Sequence, residues 1–86
     1  MKHNKYADGK LQNIEFSDKN SNKSVWVIEV GKYNFTTEYE ETIQCLTWLI
    51  TINNINYTPG QKVTIAKNKE FTIVAKETSS YLCLYK

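Results

Sequence analysis

Residues 37–52 read TEYEETIQCLTWLITI, and whether they form helix or strand decides the fold class. The opening favours a helix. Thr37 followed three residues later by Glu40 matches a capping box, in which the hydroxyl and the carboxylate each take an otherwise unpaired backbone N–H. Glu38, Glu40 and Glu41 would then fill the first turn, where carboxylates meet the positive end of the helix dipole. Ile43, Leu46, Leu49 or Ile50, and Asn53 follow at helical spacing. The pattern predicts a helix over residues 38–52, stopped by Asn53-Asn54. Its threonines and lack of alanine make it a weak helix on its own, so it needs a sheet to pack on. The rival reading makes residues 47–52 a strand.

The flanking sequence reads as strands. Asp8-Gly9, a favoured type I′ hairpin pair, separates residues 2–7 from 10–17, with Ile14 and Phe16 on one face of the second arm and Glu15 on the other. Residues 18–23 (DKNSNK) form a polar loop. Residues 24–30 (SVWVIEV) are β-branched and aromatic, with Trp26, Ile28 and Val30 on one face and Val25 and Val27 on the other. Two apolar faces suggest a central strand. Gly31-Lys32 then suits a tight turn, with residues 33–35 returning as a paired strand. After the turn Thr58-Pro59-Gly60, residues 62–66 alternate with Val63 and Ile65 inward. Residues 70–76 put Phe71, Ile73 and Ala75 on one face, and residues 81–85 put Leu82 and Leu84 opposite Tyr81, Cys83 and Tyr85. These three segments read as a meander, which resembles the second half of a small SH3-like barrel over about a third of the chain, with no family-specific motif.

The expected fold is therefore α+β: a small antiparallel sheet of about five to seven short strands with one helix (residues 38–52) packed on it. At 86 residues the chain suits a single small domain, 1–86. Cys45 and Cys83 are far apart and read as two buried free thiols, which fits a reducing compartment. No apolar run follows Met1-Lys2-His3, so no signal peptide is expected, and residues 46–52 are far short of a membrane span. The expected location is cytoplasmic.

All 11 basic residues are lysine, which weighs against guanine and phosphate recognition by arginine forks. The abundance of Lys, Asn, Ile and Tyr points to an A/T-rich genome, of a bacterium or a phage. Catalytic motifs do not assemble. His3, the one histidine, stands at the terminus, leaving serine and cysteine without a base. The cysteine and histidine positions make no zinc set, and three glycines cannot supply a phosphate cradle. No catalytic residue, no metal and no cofactor is expected. Glu38, Glu40 and Glu41 read as a solvated helix start, or as an acidic patch for a basic partner.

Aromatic residues carry the functional expectation. Trp26 and Trp48 are read as core or half-core. The tyrosines outnumber the places in so small a core, and exposed tyrosine is enriched in protein-binding surfaces. Tyr81, Tyr85, Tyr57, Tyr33 and Lys76 are the candidate partner-binding residues, with Tyr81, Cys83 and Tyr85 facing outward if Leu82 and Leu84 point in. The expectation is a non-enzymatic protein-binding accessory or inhibitor protein of bacterial or phage type, acting through this Tyr-rich strand face. Its partner would be an unidentified protein, or a second copy of the chain, and no membrane. The alternative is a small-barrel nucleic-acid or nucleotide-binding protein using the Lys-rich ends and tyrosine stacking, with nucleic acid the less favoured partner.

Overall fold

A computed structural model of the chain describes residues 1–16 and 22–85. The described residues form ten strands: β1 (Lys2–Tyr6), β2 (Leu11–Glu15), β3 (Lys23–Ile28), β4 (Gly31–Thr36), β5 (Glu41–Thr47), β6 (Ile50–Ile52), β7 (Ile55–Tyr57), β8 (Lys62–Ile65), β9 (Glu70–Ala75) and β10 (Ser79–Tyr85). They form two sheets, ordered β1-β2-β3-β10-β5-β8 and β4-β9-β6-β7, with every pairing antiparallel. From β3 onward the chain shuttles between them, and the orders β3-β10-β5-β8 and β4-β9-β6-β7 are those of a double-sheet jelly roll. The β1–β2 hairpin extends the first sheet at one edge.

The expected α+β architecture is thus corrected to all-β, with no α-helix among the described residues. Residues 38–52 hold two strands in different sheets, β5 and β6, not a helix. Thr37 is committed elsewhere: its buried hydroxyl donates to the Ala66 carbonyl at 2.7 Å and accepts from the Lys69 amide at 2.9 Å. That ties it to the turn between β8 and β9 instead of capping its own segment. The β-branched residues Thr42, Ile43, Thr47, Ile50, Thr51 and Ile52 then suit an extended backbone with burial on alternate positions. Trp48, at φ 62°, turns the chain from one sheet to the other and is 58% exposed, against the expected core or half-core place. Asn53-Asn54 ends no helix. With φ of 48° and 69° it forms the two-residue turn between β6 and β7, a type I′ geometry that asparagine tolerates.

The later strands occur where alternation placed them, but β8, β9 and β10 are not mutual neighbours. β8 pairs with β5, β9 lies in the second sheet, and β10 runs between β3 and β5. The meander and its SH3-like likeness are therefore withdrawn, as is the return of residues 33–35 onto 24–30, since β4 pairs with β9. Asp8 and Gly9 do turn the first hairpin, at φ 57° and 86°. The expected loop at 18–23 lies largely outside the described residues, as does Lys86.

Between the sheets Ile28, Ile43, Ile50, Ile52 and Ile73 are each at most 2% exposed, worth about 1.5–3 kcal/mol apiece in transfer from water. Cys45 and Cys83 are buried free thiols. No helix among the described residues is long and apolar enough to cross a membrane.

Candidate functional site

Side chains on one face of a strand recur every second residue, so the inward positions of the first sheet can be read as rows. Leu11, Ile28 and Ser79 share one row; Asn13, Trp26, Tyr81 and Cys45 the next; Glu15, Ser24, Cys83 and Ile43 the one after; Tyr85 pairs with Glu41 beyond. The same alternation that fills the core at one end delivers polar groups at the other. There the sheets enclose a cavity of about 370 Å³, within the range of small-molecule sites. Tyr6, Asn13, Glu15, Ser24, Trp26, Tyr81, Cys83, Tyr85 and Glu41 line it from the first sheet, Phe35 and Phe71 from the second, and Glu38 and Tyr39 from the loop at its mouth.

One wall is aromatic. Trp26 stacks on Tyr81 (centroids 5.8 Å apart, planes at 6°) and on Tyr6 (5.6 Å, 20°), while Phe35 meets it edge-on at 5.9 Å. Phe35 in turn stacks on Phe71 at 5.3 Å. The Trp26 indole N–H donates to Ser24 Oγ at 2.9 Å, which fixes the ring.

The opposite end is acidic and rich in donors. Glu41 is half-buried and accepts a hydrogen bond from Cys83 Sγ at 3.2 Å. Burial raises the carboxyl above the usual range, and the Cys83 bond partly offsets this. Burial and the neighbouring Glu41 push the Cys83 thiol far above an ordinary cysteine, so it is a donor and not a thiolate nucleophile. Burial, with Cys83 and Glu41 adding, likewise keeps Tyr81 protonated. Tyr85 is raised by burial first and by Glu15, Cys83 and Glu41, although its bond to Ser24 opposes the shift. The site therefore presents carboxylates beside protonated hydroxyls, the donor and acceptor mixture that a polyhydroxylated ligand requires.

The sequence-derived candidates divide. Tyr81, Tyr85, Glu38 and Glu41 meet in the cavity. The Tyr81, Cys83 and Tyr85 face turns inward, with Tyr81 2% and Cys83 3% exposed, and the leucines lie half-buried on the outer side. Inward space at this end is a polar-lined cavity, which suits tyrosine better than leucine. Tyr33 belongs to the second sheet, donating to the Glu29 carbonyl at 2.9 Å, and Tyr57 ends β7; neither lines the cavity. Lys76 is exposed in the turn after β9, and Glu40 lies outside the lining. Sequence reasoning missed Tyr6, Asn13, Glu15, Ser24, Phe35 and Phe71. The available signal was the polar residue at one end of each inward set, as in Ser24-Trp26-Ile28 and Glu41-Ile43-Cys45.

A family model described as pyrimidine/purine nucleoside phosphorylase matches residues 1–85. A protein of that name from Yersinia enterocolitica is 34% identical over 92 residues, covering 99% of this chain and 97% of the relative. One from Aeromonas salmonicida is 30% identical over 89 residues, covering 96% and 95%. Among solved structures, a protein of unknown function from Vibrio parahaemolyticus superposes with a TM-score of 0.93 at 24% identity, over 99% of this chain and 97% of that one, and shares the fold. The relatives carry an enzyme's name over nearly their whole length. This overturns the expectation of a non-enzymatic accessory or inhibitor protein of bacterial or phage type. The alternative, a small-barrel nucleic-acid or nucleotide-binding protein using the Lys-rich ends and tyrosine stacking, loses the three-strand meander it used, since β8, β9 and β10 are not mutual neighbours.

Proposed function

This chain belongs to the pyrimidine/purine nucleoside phosphorylase family, and from that premise we propose that it is a nucleoside phosphorylase whose substrate occupies the cavity between the two sheets. The observation that carries the reading is the pairing of an aromatic wall with a carboxylate end in one cavity of suitable size. A nucleoside has the matching halves: a flat base and a hydroxylated sugar.

The base packs against the aromatic wall as a whole, in which Tyr6 and Tyr81 already stack parallel to the Trp26 indole. Stacking is indifferent to the pattern of base-edge donors and acceptors, because every base has a π-face. The sugar hydroxyls donate to Glu15 and Glu41 and accept from Tyr85. In phosphorolysis a phosphate oxygen attacks C1′ while the C1′–N bond breaks. Its electron pair leaves with the base, which takes up the proton that the hydrogen phosphate gives up, and the sugar becomes its 1-phosphate. Positive charge develops on the sugar as that bond lengthens, as in glycoside cleavage. Fixed carboxylates in a partly dehydrated cavity favour that charge more strongly in the transition state than in the ground state. No side chain needs to act as a nucleophile, so the lack of a base beside serine or cysteine places no obstacle before this chemistry. The described lining residues include no lysine, so neutral donors and not a cation hold the phosphate.

Fluorescence tests the site directly. In a Trp48→Phe background Trp26 is the sole indole. Inosine and uridine are expected to change its emission saturably, and the same protein is expected to release base when phosphate is added. Turnover without any Trp26 response would move the site elsewhere, and neither effect would end the proposal.

A further inference from the structure

Asn4 stands on the edge strand β1, outside the cavity lining. It is the one half-buried residue of β1. Its side-chain amide donates to Asn13 Oδ1 at 2.9 Å and to Glu15 Oε2 at 3.1 Å. An amide nitrogen has two hydrogens, and here each goes to a different residue of the cavity. Asn13 is 4% exposed, so its orientation is set by this bond and by packing. Asn13 and Glu15 both line the cavity. With Oε2 engaged, Glu15 presents Oε1.

We propose that Asn4 is a positioning residue for sugar recognition, one amide aligning the Glu15 carboxylate and the Asn13 carboxamide toward the hydroxyls of a ribonucleoside. The inference rests on the nucleoside phosphorylase reading above. The eight strands of the jelly roll build the cavity, and the added β1–β2 hairpin supplies Glu15, Asn13 and the group that orients both. Without Asn4 the carboxylate can rotate toward solvent, and the ordering must then be made during binding. The bonds at stake include one to a charged group, so the expected loss is about tenfold to a hundredfold in kcat/KM for a ribonucleoside.

The test is a cycle of variants and substrates. Asn4→Ala, Asn4→Ser and Asn4→Asp are assayed with inosine and with 2′,3′-dideoxyinosine, whose sugar lacks the hydroxyls in question. Asn4→Ala is expected to lower kcat/KM for inosine while leaving the dideoxy substrate nearly unchanged. Asn4→Ser, with one donor hydrogen, should recover part of the loss. Asn4→Asp places a carboxylate where Glu15 now accepts a donor, and is expected to lower kcat/KM for inosine at least as far as Asn4→Ala. An equal loss on both substrates, or no loss, overturns the role of Asn4 while wild-type turnover still supports the phosphorylase reading. A wild-type protein that turns over neither substrate removes that reading itself, and this inference with it. Circular dichroism confirms that each variant is folded, and β1 carries so little buried surface that all three are expected to be.

Discussion

Replacing Trp26 by alanine separates a stacking site from a mere hollow. The ring contacts Tyr6, Tyr81 and Phe35 at centroid distances of 5.6, 5.8 and 5.9 Å, and it forms the middle of the aromatic wall. Stacking of a base on an aromatic side chain is worth about 1–3 kcal/mol by alanine substitution, or roughly 5- to 150-fold in affinity. Because stacking does not read base edges, inosine and uridine should lose kcat/KM by similar factors, mainly through KM. Deleting a fully buried Trp costs about 3–5 kcal/mol of stability. Trp26 is only partly buried, so the cost here falls toward the lower end of that range. Chains of this size hold roughly 4–13 kcal/mol, so the variant is expected to remain folded. Trp26→Phe keeps a π-face and should recover most of the activity. The assay is base release under saturating phosphate, with a thermal melt run alongside. A folded Trp26→Ala protein with unchanged kcat/KM, or a loss confined to one of the two nucleosides, would refute the stacking argument.

Four further outcomes rest on the same geometry. Glu41, raised by burial, takes up its proton at a higher pH than an ordinary glutamate near about 4.3, so the acid limb of kcat/KM should lie above that value. Glu41→Gln should remove the limb with most of the activity. The folded state also binds that proton more tightly than the unfolded chain, so Glu41 contributes stability that is fully present below the ordinary carboxylate range and is lost as pH rises through the raised value. Urea melts at a series of pH values should show this decline flattened in Glu41→Gln. Thr37→Val removes two part-buried hydrogen bonds, to the Ala66 carbonyl and from the Lys69 amide, which should cost about 1–3 kcal/mol in the same melts. Ile73→Ala opens a hole at a fully buried position, at a cost of about 2–5 kcal/mol, and a loss below 1 would mean that the core is looser than described.

Much of the strand content was legible because its causes are local. The alternation in residues 62–65 and 70–75 needs only a period of two, and Asp8-Gly9 only a tolerance for positive φ. Pairing was not legible, since whether β9 lies beside β8 or across the sandwich depends on contacts distant in sequence. The failure at residues 38–52 has the same origin. A capping box and a Thr in tertiary contact share one local pattern, and the bond from Thr37 to Ala66 is invisible until the chain has folded. Asn53-Asn54 suits a helix end and a type I′ hairpin equally, because both ask for the left-handed region. In the site, Tyr81, Tyr85, Glu38 and Glu41 were named for other reasons, as an outward face and a helix start. What joins them is register, which sets Tyr85 opposite Glu41 and Ser24 opposite Cys83. Leu82 and Leu84 misled because leucine usually marks the inward side, whereas here the inward side opens into a polar cavity.

The most direct measurement is the stoichiometry of the reaction itself. Purified wild-type protein is incubated with inosine, with and without inorganic phosphate, and the base and sugar products are quantified. The account predicts hypoxanthine and ribose 1-phosphate in equal amounts, formed only when phosphate is present. Release of hypoxanthine with free ribose regardless of phosphate, or no release at all, would contradict it.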